Sequence, residues 1–560
     1  MTASMGLTWN AAAAGTYPIA GYNIYRGGVK VATSQATSYT DTGLANSTAY
    51  TYTVTALDNQ GNESAQSASA TATTLPVSSG LPSGVTLQAI DGETMTSSTT
   101  MSHNYYGRNG FTIPTTTSWH AGVKSWDDPT FFPIMCDYCF NTNNFANLAN
   151  FNALFLNSSI RIDGGATNNT ANCVSNGIWY FQDPYGSEGP PIGNANPGSG
   201  PTNAAGAALH IEEPGSVSSY QGAVNGFQSL GYLSGRPVQV SITSSNMQSG
   251  GGMGGQPLSS VFTTNVGSTG RHTDILSIDV YWFSGANGVS SDWGNMNTMY
   301  GGGISSNDQA LRGSNYGDLT DMMRYIMGGT QTQIIPAPGL APVFPYVENS
   351  NSLLTSATEI TPPQMNWAVW SSLIHGARLV VYFTTSGSYA SQFGFNPNIL
   401  GGQSISLYNQ AIATNGLVTN LAQILNSPFA MSFATVSPAG YNFPTGNTTS
   451  WGDTIKHWYY NLANGIEIMA KWYQGGAYTP SSGPLSGKTM NNGFYIFADV
   501  RGSQSQTNVS ATFTVSDTGV TSVPVVNENR NVTLSAASGG KRTFTDTFAL
   551  ASTVHIYGPF

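Results

Sequence analysis

Charge is what this sequence has least of. Only 8% of its 560 residues are Asp, Glu, Lys or Arg, against about a quarter in an average soluble domain. Seventeen basic residues face 27 acidic ones, for a formal net charge of −10, which argues against a nucleic-acid or anionic-membrane partner. Long apolar runs are missing too. The nearest candidate, 367–383, is broken by Ser371, Ser372, His375 and Arg378, so no membrane-spanning helix is expected. The opening Met1-Thr2-Ala3-Ser4-Met5 has neither a basic start nor an apolar run, so no secretory leader is legible in it.

Cysteine is nearly absent. Cys136, Cys139 and Cys173 cannot all pair within one chain, and Cys136-x-x-Cys139 lacks the second Cys or His pair of a zinc site. A disulfide from Cys173 to one of the other two, or three buried thiols, is expected, and no metal. No Gly-x-Gly-x-x-Gly turn opens a helix after an early strand, and the glycine-rich run 249–255 lacks the Lys of a phosphate loop. That run reads as a flexible loop, and no cofactor is expected.

What is present is apolar and aromatic. The chain is 40% hydrophobic with 11 Trp, 28 Tyr and 24 Phe, which separates it from disordered sequences of low charge density. At roughly 150 residues per domain, three or four domains are expected. Few carboxylates paired to cations would leave little stability to lose in acid, so tolerance of low pH is a further expectation.

Residues 7–74 alternate with period 2, as at Tyr50, Tyr52, Val54 and Ala56, and turn clusters such as 58–62 separate the runs; this predicts a small antiparallel sandwich. Through Leu7-Thr8-Trp9, Gly21-Tyr22-Asn23-Ile24-Tyr25-Arg26 and Tyr39-Thr40-Asp41-Thr42-Gly43-Leu44 the segment resembles a fibronectin type III domain, with Tyr50 placed after Leu44 as in a tyrosine corner. The usual first strand is missing ahead of Leu7. The resemblance implies a spacer of the kind that secreted bacterial polysaccharide-degrading enzymes carry. The module is assigned to 1–77, and a Pro/Ser/Gly-rich linker to 78–85.

From 131 onward, short apolar runs at 131–135, 153–156, 178–181, 207–211, 238–242, 275–280, 343–347 and 379–383 alternate with helical spacing. Leu319, Met322, Met323, Ile326 and Met327 form one stripe, stopped by Gly328. Thr361-Pro362-Pro363 opens another helix, which ends at His375-Gly376. Eight strand-then-helix repeats predict a (β/α)8 TIM barrel over 86–445 with a leading β segment, a doubly wound open sheet being the competing topology. Strand-like runs at 466–472, 494–500, 511–515, 523–526, 544–550 and 554–557 predict a C-terminal all-β sandwich over 446–560.

Barrel enzymes carry their chemistry where strands end. Of nine glutamates, Glu212 and Glu213 follow the fourth run and Glu348 follows the seventh. Two carboxyls, one protonated and one ionised, suffice for glycosidic cleavage. Glu212-Glu213-Pro214 and Tyr346-Val347-Glu348-Asn349, with Trp126-Asp127-Asp128-Pro129 and 274–281, resemble clan A glycoside hydrolases, in which an acid/base Glu ends strand 4, often as Asn-Glu-Pro, and a nucleophile Glu ends strand 7. The resemblance implies Glu213 as acid/base and Glu348 as nucleophile of a secreted, retaining enzyme acting on a neutral poly- or oligosaccharide. Glu212 stands where that clan usually has Asn, so it binds the sugar or takes the acid role itself.

Tyr281 and Trp282 after the sixth run, Asp137 after the first, Trp179 and Asp183 about the third, and Asn349 are candidate substrate contacts, with barrel packing or helix capping as the alternative. His210 and His272 read as core or supporting groups rather than ligands. A non-catalytic carbohydrate-binding or surface-display protein on the same scaffold is the rival reading. The oligomeric state is left open.

Overall fold

The computed structural model describes residues 3–44, 48–73, 80–102, 128–137, 148–160, 178–182, 208–211, 214–229, 238–243, 252–253, 256–257, 274–280, 282–283, 312–328, 343–348, 360–383, 403–443 and 464–560. Two compact units emerge. One holds Met1–Gly84, Ser516–Thr521 and Ala537–Gly540; the other holds Val85–Val515, Ser522–Ala536 and Lys541–Phe560.

In the first unit, Ala3–Thr8 pairs with Ser38–Leu44, and a second sheet runs Val29–Ser34, Ile19–Arg26, Ala49–Asp58, Ala70–Thr73. Gly27 and Gly28, both at positive φ, make the two-residue turn between Arg26 and Val29, a conformation that matches strand twist and that side chains resist. Tyr22, Ile24, Leu44 and Tyr52 are buried. The Tyr52 hydroxyl donates to Asp41 at 2.8 Å, as does Arg26 Nη1. Burial and that carboxylate push the phenol up to about 12.

The second unit contains eight parallel strands: β1 Ile134–Asp137, β2 Ser158–Ile160, β3 Trp179–Gln182, β4 Ala208–Ile211, β5 Val238–Thr243, β6 Ile275–Asp279, β7 Val343–Glu348 and β8 Val380–Phe383. They pair in chain order, and β8 pairs back to β1, closing a barrel. Helices are described in four of the connections and after β8: α1 Leu148–Ala153, α2 Val217–Ser229, α3 Ser314–Gly328, α4 Pro362–Ile374 and α5 Gln403–Asn420. The start of α4 follows from its sequence: Thr361 caps it, Gln364 returns the bond, and Pro362 needs no donor. Gly376, at φ +80°, follows its end.

Seven strands fall where periodicity puts them, and β2 does not. The apolar run at 153–156 closes α1 and turns, with Leu154 and Leu156 buried and Phe155 at φ +57°; the strand that follows starts with two serines. Apolar pattern cannot find such a strand. Asn157 sets its register, accepting from the Ile134 amide at 2.9 Å and donating to the Phe132 carbonyl at 2.8 Å. Within the glycine-rich run, expected as a loop, Gly252–Met253 pairs with Gln256–Pro257.

The C-terminal strands form two sheets. The larger runs Arg530–Thr533, Ser522–Val525, His555–Tyr557, Gly493–Arg501, Gly465–Tyr473, Phe429–Met431 and Thr86–Gln88, with Ala439–Phe443 beside Gly465–Tyr473; the smaller runs Ala434–Ser437, Thr507–Ser516, Lys541–Leu550. The boundary expected at 446 is therefore too late. The sheets take strands from 429 onward, and one from ahead of the barrel, because pairing partners need not be neighbours in sequence. Both central strands are buried along all nine residues. Their alternation divides the surroundings: Phe494 stacks on Phe433 and Trp472, while Phe497, on the other parity, stacks on Trp370 of α4. Trp367 Nε1 donates to the Val500 carbonyl at 2.9 Å.

Candidate active site at the barrel mouth

The inside of the barrel can be traced from its hydroxyls. Ser241 on β5 and Tyr346 on β7 are in hydrogen-bond contact at 2.9 Å across β6, which lies between them, so both occupy the interior face. Gln239 Nε2 donates to Ser277 Oγ at 3.0 Å, and Ser277 also contacts Ser241 at 2.9 Å. Val238, Val240, Ile242, Leu276, Ile278 and Val347, on the opposite parity, join the core packed against the helices. The sequence of β5, Val-Gln-Val-Ser-Ile-Thr, states this division openly.

Strand pairing carries the interior face round the ring. His210 pairs with Gln239, Thr243 with Asp279, Ser277 with Phe344, Tyr346 with Val381, and Val381 with Met135. Paired residues of parallel strands share a face, so positions 137, 279 and 348 lie on the interior register, each at the C-terminal end of its strand. Three of the eight strands thus end on a carboxyl-bearing residue at one mouth. Asp279, buried to 5% exposure, was not singled out from sequence, although Ile-Leu-Ser-Ile-Asp alternates as plainly as β5 does.

The predicted site residues fare unequally. Glu348 is the last residue of β7 and Asp137 the last of β1. Trp179 is the first residue of β3, at the strand end away from the mouth. Trp282 is buried within the barrel core cluster at 1% exposure, beside Phe283, which stacks on Tyr316. His210 is fully buried on the interior face. Glu212, Glu213, Tyr281, Asn349, Asp183 and His272 lie outside the described residues. Cys136, buried in β1, is disulfide-bonded, and its partner lies outside the described residues; three free thiols are thereby excluded.

A second polar cluster, unforeseen from sequence, lies between α3, α4 and the large sheet. Arg324 Nε donates to Asp91 Oδ2 at 2.8 Å, and Arg501 Nη2 to Asp318 Oδ1 at 2.8 Å. His375 faces Asp321 through Nδ1 at 2.9 Å and Glu467 through Nε2 at 3.0 Å, and stacks on Tyr441 at 3.8 Å. Burial alone would lower the imidazole pKa, but the two carboxylates outweigh it and hold it up to about 9. Asp318, Asp321 and His375 come close enough together to surround an ion. Their atoms are already engaged with Arg501, Arg324 and one another, which is the arrangement of a salt-bridge network.

Residues 1–73 match the fibronectin type III domain family. Curated relatives include an alpha-amylase from Niallia circulans, 56% identical over 71 residues (13% of this chain, 5% of the relative), and exoglucanase B from Cellulomonas fimi, 40% identical over 121 residues (22% and 10%). A poly(3-hydroxybutyrate) depolymerase from Ralstonia pickettii is 48% identical over 71 residues (13% and 14%). The chain thus spans a small fraction of each, in two cases over a stretch the length of the N-terminal module. Solved structures similar to the chain include a glycoside hydrolase at TM-score 0.40 and 10% identity, over 76% of this chain and 92% of that one. A glycoside hydrolase family 5 protein from Bacteroides vulgatus matches at 0.38 and 9%, over 76% and 88%.

Proposed function

We propose that the protein is a secreted glycoside hydrolase built on a (β/α)8 barrel of clan A type, cleaving a neutral poly- or oligosaccharide with retention of configuration. The observation that carries this reading is the end of β7: Glu348 closes that strand on the interior register, two positions beyond Tyr346. Glu212 and Glu213 follow directly after β4. In this reading Glu348 attacks the anomeric carbon while Glu213 protonates the leaving oxygen. Glu213 then takes a proton from the water that releases the glycosyl-enzyme. Asp137, Tyr281 and Asn349 would hold sugar hydroxyls. The disulfide at Cys136 supports an oxidising compartment outside the cytosol.

One observation favours a different acid. His210 is on the interior face, and regular alternation from it reaches 212 rather than 213. Glu213 keeps the role only if the strand end is irregular.

A 2-fluoro glycoside that traps the intermediate should label the peptide containing Glu348, and Glu348→Gln should abolish turnover. Glu213→Gln should lower kcat by about 10²–10⁴-fold, with recovery by azide on substrates that have good leaving groups. Turnover unchanged in Glu348→Gln would remove the assignment, and the same loss confined to Glu212→Gln would transfer the acid role. No turnover of any glycoside, with sugar binding retained, would favour the non-catalytic binding protein.

A further inference from the structure

Glu467 and Asp499 are direct partners on adjacent antiparallel strands, Gly465–Tyr473 and Gly493–Arg501, a spacing that brings side chains on one face to within about 5 Å. Neither residue is exposed at all. Their hydrogen-bonding positions differ. Glu467 Oε2 accepts from His375 Nε2 at 3.0 Å and lies 3.6 Å from Arg501 Nη1. Glu467 Oε1 and both oxygens of Asp499 have no donor among the described residues. Two ionised carboxylates cannot be held side by side in a dry seam with three lone-pair sites unserved.

We propose that Glu467 and Asp499 share one proton, resident on Asp499 and donated to Glu467 Oε1, and that this proton makes the seam between barrel and large sheet a lock that closes in acid and weakens in alkali.

The surrounding charges decide which carboxyl keeps the proton. From α3 come Asp318, paired with Arg501, and Asp321 and Arg324. From the end of α4 comes His375. From the sheet come Arg501 and Lys471, the latter donating to the Ser427 carbonyl at 2.9 Å over the Phe429 ring; from Ala439–Phe443 comes Tyr441. Asp91, with Arg324, and Arg378, with Glu93, complete the set. His375 lies directly on Glu467, so that carboxylate is the ionised one. Burial would raise Glu467, yet the imidazolium, the Asp499 hydroxyl and Arg501 bring it down to about 2. Burial and then the Glu467 charge drive Asp499 well above the ordinary range, against the opposing Arg501.

The signs follow. A carboxyl raised in the folded state contributes stability that is complete below its unfolded pKa and is lost as pH rises toward the folded value. Asp499 therefore weakens the seam on the alkaline side, and Glu467 weakens it only as pH falls from about 4.5 toward about 2.

The test uses the full chain. Asp499→Asn supplies a permanent donor to Glu467 Oε1 that needs no proton. The wild-type unfolding midpoint should fall between about pH 5 and about pH 8, and in D499N at least half of that fall should vanish. Infrared spectra of wild-type protein carrying ¹³C-labelled aspartate should show a protonated carboxyl at pH 7 that D499N lacks. Should the variant fail to fold, the wild-type spectra decide the matter: a protonated band at pH 7 with labelled aspartate and none with labelled glutamate. A D499N midpoint displaced equally at both pH values, or a protonated band that appears with labelled glutamate and not with labelled aspartate, would overturn the proposal.

Discussion

Arg324 meets Asp91 through Nε at 2.8 and 3.1 Å, with neither side chain exposed, although 233 positions separate them in sequence. Arg324 also donates Nη1 to the His375 carbonyl at 2.5 Å. One guanidinium thus joins the segment ahead of the barrel to α3 and to the end of α4.

Removing one partner of such a pair leaves an uncompensated buried charge. Asp91→Ala should cost about 3–5 kcal/mol of stability in urea melts. Replacing both Asp91 and Arg324 by apolar residues of similar volume should cost less than either single change. A D91A loss under about 1 kcal/mol would mean that water reaches the guanidinium.

Close approach of α3 and α4 depends on Gly317, where an added Cβ would meet the His375 ring at 2.4 Å and Ser371 Oγ at 2.5 Å. Gly317→Ala should destabilise by about 1–3 kcal/mol. The same change at exposed Gly222 on α2, where nothing lies within 4 Å, should stabilise by about 0.5–1 kcal/mol through helix propensity. Thermal midpoints moving in the same direction would contradict the helix contact.

His375 supplies a second alkaline term. Its pKa is held up to about 9, so its contribution is complete below about 6.5 and lost as pH rises through about 9. His375→Gln should be less stable than wild type at pH 6 and should lose less than wild type between about pH 6 and about pH 10, the remaining fall belonging to Asp499. Denaturant midpoints across that interval give the answer; parallel curves for the two proteins would place the titration elsewhere. These buried pairs also correct the expectation that few carboxylates here are matched to cations. Acid tolerance, where found, would come from Asp318, raised to about 6 chiefly by burial, and from Asp499, rather than from a lack of pairing.

In the N-terminal module, Asp41 accepts from both Tyr52 and Arg26. Asp41→Ala strands a buried phenol and should lower the module's own transition by about 1–3 kcal/mol. Calorimetry should show the larger unit's transition unmoved, and a shift of both transitions would show that the units do not melt separately.

Much of the architecture was legible because it rests on local chemistry. Short apolar runs located seven of eight barrel strands and six of the later sheet strands, but not Phe429–Met431, Ala434–Ser437, Ala439–Phe443 or Arg530–Thr533. Thr361-Pro362-Pro363 and Gly376 bounded α4, and the alternation of 238–243 even stated which side chains face inward. β2 was not legible, since Ser158 and Ser159 carry no apolar signal and its register depends on Asn157 bridging to β1. The candidate site divides in the same way. A glutamate after a β-run can be found by reading, so Glu348 was; Trp282 also follows one, but whether it packs or faces a cleft depends on neighbours that only folding supplies. Sequence by itself determined the elements, their order and the placement of carboxyls at strand ends, because dihedral preference and alternation act over a few residues. Only the tertiary structure decided that Asp91, Asp318, Asp321, Arg324, His375, Glu467, Asp499 and Arg501 share one dry seam. Their ionisation is set by burial and by partners up to hundreds of positions away, and neither is written in any local window.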